Sequence, residues 1–179
     1  MQTKLSDRVH KQFSTIKLAI FDVDGVLTNG KIYYSDTGRE SKAFHTQDGA
    51  AIKMLQSTGV HVALITGRTS EMVTRRAKEL DISYVYQGVE DKRTALRDLE
   101  QCSGISQHLM SHTGDDLADL VLFQKVGMSI SVPGAHPVVQ EAADYVTTSL
   151  PGMGAVREIC QLVMMCQDTW RGVLERYTE

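Results

Sequence analysis

From Ile16 onward the chain alternates short β-rich runs with segments of helical spacing, and this alternation most restricts the folds open to it. The strand candidates are Leu18–Phe21, His61–Thr66, Tyr84–Tyr86, Leu109–His112, Met128–Ser131 and Tyr145–Thr147. Between them, Gly49–Gln56, Ser70–Leu80, Arg93–Gln101, Leu117–Lys125, Pro137–Ala142 and Ala155–Cys166 carry helical patterns. Strands that alternate with helices predict an α/β architecture, a parallel sheet covered on both faces. In such sheets ligands bind beyond the carboxyl ends of the strands. The residues that follow each strand are therefore where chemistry is expected.

Two features interrupt the rhythm. Leu5, Val9 and Phe13 form an i, i+4, i+8 stripe that predicts a short amphipathic helix in residues 1–15, ahead of the repeating part. Residues 30–44 read as aromatic alternation around Ser35-Asp36-Thr37-Gly38, the pattern of a β-hairpin. An isolated two-stranded hairpin is marginal in water. Ile32, Tyr33, Tyr34 and Phe44 are thus expected to pack on something, either another subunit or their own domain.

A chain of 179 residues can bury one substantial core and is short for two. The expected organisation is an N-terminal extension over 1–15, a single domain over 16–166 and a tail over 167–179. The formal charge of −3 argues against nucleic acid as a partner. No apolar run approaches the length of a membrane span. The N-terminus lacks a signal-peptide core, so a cytoplasmic address is expected. Cys102, Cys160 and Cys166 are odd in number and lack Cys-x-x-Cys spacing, which predicts reduced, packed thiols.

The strand ends carry the chemistry. Leu18-Ala19-Ile20-Phe21 runs straight into Asp22-Val23-Asp24-Gly25, so two carboxylates follow a buried strand on one loop. They repel each other unless positive charge sits between them, and a divalent cation with a phosphate ester would supply the missing partner. A solvent-exposed turn would carry the same residues, so the pieces that follow decide. Ile65-Thr66-Gly67-Arg68 again ends a strand, on a hydroxyl, backbone N–H groups and a guanidinium suited to a phosphate or carboxylate. The bland alternative is that Thr69 or Ser70 only caps the next helix. Lys92 opens a helix, unfavourably for the helix dipole, as expected of an ammonium turned inward to carboxylates and phosphate. Thr113-Gly114-Asp115-Asp116 with Asp119 ends a further strand in acids. Asp115 is placed to be a second ligand for a hard cation, with Asp116 and Asp119 orienting metal waters or Lys92. Magnesium suits such a site, since it prefers oxygen ligands and few protein carboxylates.

In this order the pieces resemble the haloacid dehalogenase-like phosphohydrolases. Asp22-Val-Asp-Gly-Val-Leu-Thr28, the hairpin, Phe44-His45-Thr46-Gln47-Asp48-Gly49, Thr66-Gly67-Arg68, Gly114–Leu120 and Gly154-Ala155-Val156-Arg157-Glu158 narrow the resemblance to the 3-deoxy-D-manno-octulosonate 8-phosphate phosphatases. The match spans roughly residues 16–165. It implies a Rossmann-like three-layer sandwich without a cap domain, tetrameric assembly through the hairpins, and a small phosphorylated sugar acid as substrate. It also implies that Asp22 is the nucleophile and Asp24 the general acid and base. Thr66 and Lys92 would be further catalytic groups, and magnesium would be held by Asp22, Asp115 and the backbone carbonyl of Asp24. Gly67, Arg68, Thr28, Arg76 and His45 are the candidate substrate-binding residues. The chain departs from the family pattern at Thr46-Gln47, at Pro151-Gly152-Met153 and at Val121, and its strand before Gly114 is unusually polar. Two alternatives stay open: a phosphatase for another nonulosonate phosphate, and a catalytically silent module of the same fold.

Overall fold

The computed structural model describes residues 5–178. The first helix, α1 (Asp7–Thr15), leads into β1 (Leu18–Phe21) and then into a short hairpin of β2 (Tyr33–Tyr34) and β3 (Glu40–Ser41). There follow α2 (Thr46–Gln56), β4 (His61–Ile65), α3 (Glu71–Glu79), β5 (Tyr84–Tyr86) and α4 (Lys92–Ser103). The second half contains β6 (Met110–Thr113), α5 (Leu120–Phe123), β7 (Met128–Ser131), α6 (Pro137–Ala142), β8 (Tyr145–Val146), α7 (Ala155–Cys166) and α8 (Trp170–Glu175). A parallel sheet in the order β5-β4-β1-β6-β7-β8 forms the middle layer, and β2 pairs with β3 outside it.

The pattern of β1 explains its place. A strand buried on both faces must be apolar at every position, and Leu18, Ala19, Ile20 and Phe21 all have no exposure. Successive side chains point to opposite faces. Ala19 and Phe21 accordingly join the core under α1, α2, α3 and α7, with Phe13, Ile52, Leu55, Val73 and Ile159. Leu18 and Ile20 join the other core, with Ile65, Leu96, Leu99, Met110 and Leu122 from the side of α4 and α5. The register pairs Phe21 with both Leu64 of β4 and Thr113 of β6. Asp22, Ile65 and Gly114 therefore leave the sheet at one level, which brings the three chemistry-bearing loops to a common rim.

Some elements depart from the sequence-based expectation. The expected helix Leu117–Lys125 is a 3₁₀ turn over Leu117–Asp119 followed by the short α5. Its first turn is tightened by a capping box in which Asp116 and Asp119 bond reciprocally to backbone N–H groups. The strand before Gly114 is shifted one residue, to Met110–Thr113. Residues 170–175, left without structure in the tail, form α8 and bury Val173. The two ends of the chain meet: the Gln167 side-chain amide donates to the carbonyls of Phe13 at 3.3 Å and Ile16 at 2.7 Å.

One carboxylate ties the last strand to the last long helix. Glu158 on α7 accepts from the Tyr145 hydroxyl (2.7 Å), the Thr148 N–H (2.9 Å) and hydroxyl (2.8 Å), and the Ser149 N–H (2.8 Å). Burial opposes its ionisation, but the bonds from Thr148, Tyr145 and Ser149 outweigh it and hold the carboxyl below its ordinary value. A depressed native pKa gives stability that is present above the unfolded-state value and lost as pH falls through the folded value. Glu158→Gln is therefore expected to unfold at lower denaturant than the parent protein at pH 7, and the gap should shrink as pH drops below about 4. Urea titrations at pH 7, 5 and 3.5 measure it.

Candidate active site

The first acid loop begins where β1 ends. The Asp22 N–H still donates to Thr113 O at 3.0 Å, so the nucleophile candidate starts from a fixed backbone. Val23–Leu27 then coils tightly, with Gly25 at φ +91°, and Thr28 N closes the turn on Val23 O at 3.0 Å. The Thr28 hydroxyl accepts from Gly25 N (3.4 Å) and Gly30 N (3.2 Å), which makes buried Thr28 a clasp for this loop. Two glycines allow the loops to meet. A Cβ on Gly25 would lie 2.0 Å from Asp115 Oδ2, and one on Gly114 would lie 2.2 Å from Asp119 Cγ. Only hydrogen at these positions lets both carboxylates approach.

Asp22, Asp115 and Asp119 each offer an oxygen within 4.8 Å of the others. Their surroundings separate them. Asp119 is saturated: Oδ1 accepts from Lys92 Nζ at 2.6 Å and His112 Nε2 at 2.7 Å. Its Oδ2 accepts from the N–H groups of Asp115 (3.1 Å) and Asp116 (3.2 Å). Burial raises its pKa, yet His112 and Lys92 together hold the carboxyl far below the ordinary range. Asp22 is the opposite case. Lys92 Nζ lies 3.2 Å from its Oδ1, but that buried oxygen has no hydrogen-bond partner among the described residues. Burial pushes the Asp22 carboxyl up, with the Lys92 ammonium opposing. Asp115 is pushed up to about 7, by burial first and then by the negative charges of Asp22, Asp119 and Asp116. Burial disfavours the Lys92 ammonium too, but Asp22 and Asp119 outweigh that and hold it protonated.

This arrangement fits a divalent cation. Asp22 and Asp115 lie side by side, and the one ammonium beside them offsets their repulsion only in part because Asp119 shares it. All donors are hard oxygens, the set that magnesium takes. Asp119 would stand beside such an ion as a carboxylate already committed to other partners.

Further charges reach the acid loop from the hairpin, through Glu40 and Lys42, and from Arg68 after β4. Lys42 reaches back from the end of β3 to Asp24 Oδ1, and its ammonium is 3.2 Å from Glu40. Its side chain is fully buried. Arg68 lies 3.7 Å from Asp24 Oδ2 and donates to Glu40 at 2.9 Å. Asp24, Glu40, Lys42 and Arg68 thus form one network over the acid loop.

The remaining candidates are placed as follows. The Thr66 hydroxyl is buried at the end of β4 and accepts from Arg68 N at 3.4 Å. A Cβ on Gly67 would meet Val89 O at 3.6 Å, an ordinary van der Waals contact. Neither Thr69 nor Ser70 caps α3: the Ser70 side chain makes no cap bond, and its N–H donates to Gln87 instead. Arg76 sits over the Phe44 ring at 5.8 Å and bonds Glu79 and His45 O, each at 3.4 Å. Its recorded partners do not include the acid cluster. His45 precedes α2 with Nδ1 3.9 Å from Asp48. Asp48 is buried and accepts from Arg157 N (2.8 Å) and Gly154 N (3.3 Å), capping α7 from across the fold. That role depends on a contact between residues 106 and 109 apart in sequence, which local pattern does not display.

Comparison with known proteins agrees with this geometry. Residues 85–159 match the haloacid dehalogenase-like hydrolase family. The 3-deoxy-D-manno-octulosonate 8-phosphate phosphatase of Escherichia coli K12 is 43% identical over 152 residues, 85% of this chain and 81% of that protein. The Moraxella catarrhalis phosphatase of the same name, solved with a magnesium ion, a phosphate ion and a KDO molecule, superposes with a TM-score of 0.94 at 41% identity. That alignment covers 97% of this chain and 99% of the other. The cobalt-bound Haemophilus influenzae phosphatase aligns with a TM-score of 0.86 at 36% identity, over 89% of this chain and 93% of its own. Identity at this level across nearly the whole length, on one fold and with the acid loops at one rim, shows that the chain belongs to the haloacid dehalogenase-like 3-deoxy-D-manno-octulosonate 8-phosphate phosphatase family.

Proposed function

We propose that this chain is a magnesium-dependent phosphomonoesterase that hydrolyses 3-deoxy-D-manno-octulosonate 8-phosphate to the free sugar acid and phosphate, a step of lipopolysaccharide precursor synthesis. The observation that carries the reading is the convergence of Asp22, Asp115 and Lys92 beside Asp24 at the carboxyl rim of the sheet. The names and bound molecules of the relatives support the choice of substrate.

In the first half-reaction an Asp22 carboxylate oxygen attacks phosphorus, forming an acyl phosphate as the bond from phosphorus to the sugar oxygen breaks. Asp24, carrying a proton, delivers it to the departing alkoxide. In the second half-reaction Asp24 takes a proton from water, which attacks phosphorus and frees Asp22 and inorganic phosphate. Lys92 balances the charge of Asp22, and Thr66 with the Gly67 N–H supplies donors to the transferring group. Asp22, Asp115 and the Asp24 carbonyl would hold magnesium, which supplies fixed positive charge to the phosphoryl oxygens. Positioning and electrostatics of this kind carry most of the catalysis in phosphoryl transfer. Lys42 and Arg68, against Asp24, orient its carboxylate toward the leaving group. Arg68 also offers the fork that a sugar carboxylate would take from Glu40. Thr28, His45 and Arg76 complete the proposed substrate-binding set, with Thr28 also clasping the acid loop and Arg76 bonding the His45 carbonyl.

We also propose residues 16–166 as the phosphatase domain, with 1–15 and 167–179 added to it. No helix among the described residues is long and apolar enough to cross a membrane, and a cytoplasmic enzyme fits the reaction. Ile32, Tyr33 and Tyr34 are exposed on the hairpin while Lys42 turns inward. That division suits a homotetramer in which hairpins meet and close the open rim.

Phosphate release should be much faster from 3-deoxy-D-manno-octulosonate 8-phosphate than from hexose phosphates or an aryl phosphate. Equal rates on all three would reject the assigned substrate. Dialysis against a chelator should abolish turnover and added magnesium restore it. Asp22→Asn should lose several orders of magnitude in kcat with an unchanged circular dichroism spectrum. Lys42→Met should lower kcat roughly ten- to a hundredfold through misplacement of Asp24, which steady-state kinetics would read directly.

A further inference from the structure

His112 lies on β6, one strand from the nucleophile, and none of the roles above uses it. It is fully buried, an unusual position for an imidazole. Its ring packs edge-on against Phe123 at 5.9 Å, and Nδ1 has no hydrogen-bond partner among the described residues. The one polar contact recorded for its side chain is from Nε2 to Asp119 Oδ1, at 2.7 Å. A carboxylate oxygen can only accept, so Nε2 carries the proton and donates. The same Oδ1 holds Lys92 Nζ at 2.6 Å, and Lys92 in turn lies 3.2 Å from the Asp22 carboxylate.

We infer that His112 is a positioning residue for the phosphoryl-transfer reaction, acting on Lys92 through Asp119; this rests on the phosphatase reading above. The geometry leaves the imidazole little other work. Asp119 Oδ2 is pinned by two backbone N–H groups, which fix one oxygen but still allow the carboxylate plane to turn about it. The bond from His112 sets that plane and aims the Oδ1 lone pairs at the helix start where Lys92 stands. Without it, Asp119 Oδ1 keeps Lys92 as its one donor and the carboxylate can rock about the pinned Oδ2. Lys92 would then lose its close anchor and adopt several positions beside the nucleophile.

The test compares His112→Phe, which keeps an aromatic ring against Phe123 but removes the donor, with His112→Gln, whose side-chain amide restores an N–H. Each is studied as full-length protein, by kinetics and by the 15N–1H signals of the Lys92 ammonium in the metal-free state. H112F is expected to lower kcat roughly tenfold or more, to change KM less than about threefold, and to broaden or erase the Lys92 signal. H112Q is expected to keep that signal and a kcat within about threefold of the parent. A kcat for H112F within twofold of the parent would overturn the inference, as would an unaltered Lys92 signal. If H112F does not fold, H112Q decides alone: an erased Lys92 signal in a folded H112Q overturns it. The ammonium signals need no turnover, so an error in the assigned reaction leaves them intact, whereas an error in the role of His112 does not.

Discussion

The carboxylate of Asp119 holds the rim together. Its four donors come from β6, from the start of α4 and from the Asp115–Asp116 turn, so one side chain joins a strand, a helix and a loop. Burying a charge is costly unless it is fully paired, and here the pairing is complete. The result is a fixed negative centre that anchors an ammonium in the interior. That ammonium then offsets Asp22, which would otherwise be an isolated buried acid. Removing any member leaves its partners buried and uncompensated, the situation in which breaking an ion pair costs most. Stability and chemistry are therefore linked at this rim, and His112 on the polar strand β6 takes part through its bond to Asp119.

Around that centre the fold supplies only what a parallel sheet supplies anyway. Register places the ends of β4, β1 and β6 at one level, and the loops beyond them need only short side chains and glycines to converge. Gly25 and Gly114 matter because carboxylates occupy the space where a Cβ would stand. The excess of negative charge left at Asp22 and Asp115 is not a flaw of packing. It is the complement of a cation and a phosphate ester, which together bring charges of both signs to the same point.

Much of this was legible in the residues. β1, β5, β7, α6 and α7 begin and end where hydrophobic run and turn chemistry place them: β1 and β7 are buried throughout, α7 buries one face, and α6 starts at a proline. The acids that follow β1 and β6 were legible for the same reason, since a carboxylate directly after a buried strand has few places to go. What escaped depended on long-range closure. Glu40 and Lys42 lie on a hairpin, and nothing in its alternation says which face turns back to Asp24. The 3₁₀ turn at Leu117 escaped because side-chain capping by Asp116 and Asp119 overrides the helical spacing of Leu117–Lys125. Asp48 stands in the Phe44–Gly49 motif with no local sign of its role, because its partners at the start of α7 lie far off in sequence. The short α8 follows Asp168 at φ +57°, a kink that no composition signal announces.

The hairpin and β1 differ in how firmly they are held, and the site is assembled from both. β1 is bonded along its length to a strand on either side and lies between two cores, so its amides should be among the last in the protein to exchange with solvent. β2 and β3 share a two-residue ladder with no further strand beside it, and such a pair opens at small free-energy cost. Asp22 therefore follows a strand held on both sides, while Lys42, against Asp24, follows a two-residue ladder. Opening of the hairpin would thus act on Lys42 and its contact with Asp24, while Asp22 stays tied to the sheet through its N–H bond to Thr113 O.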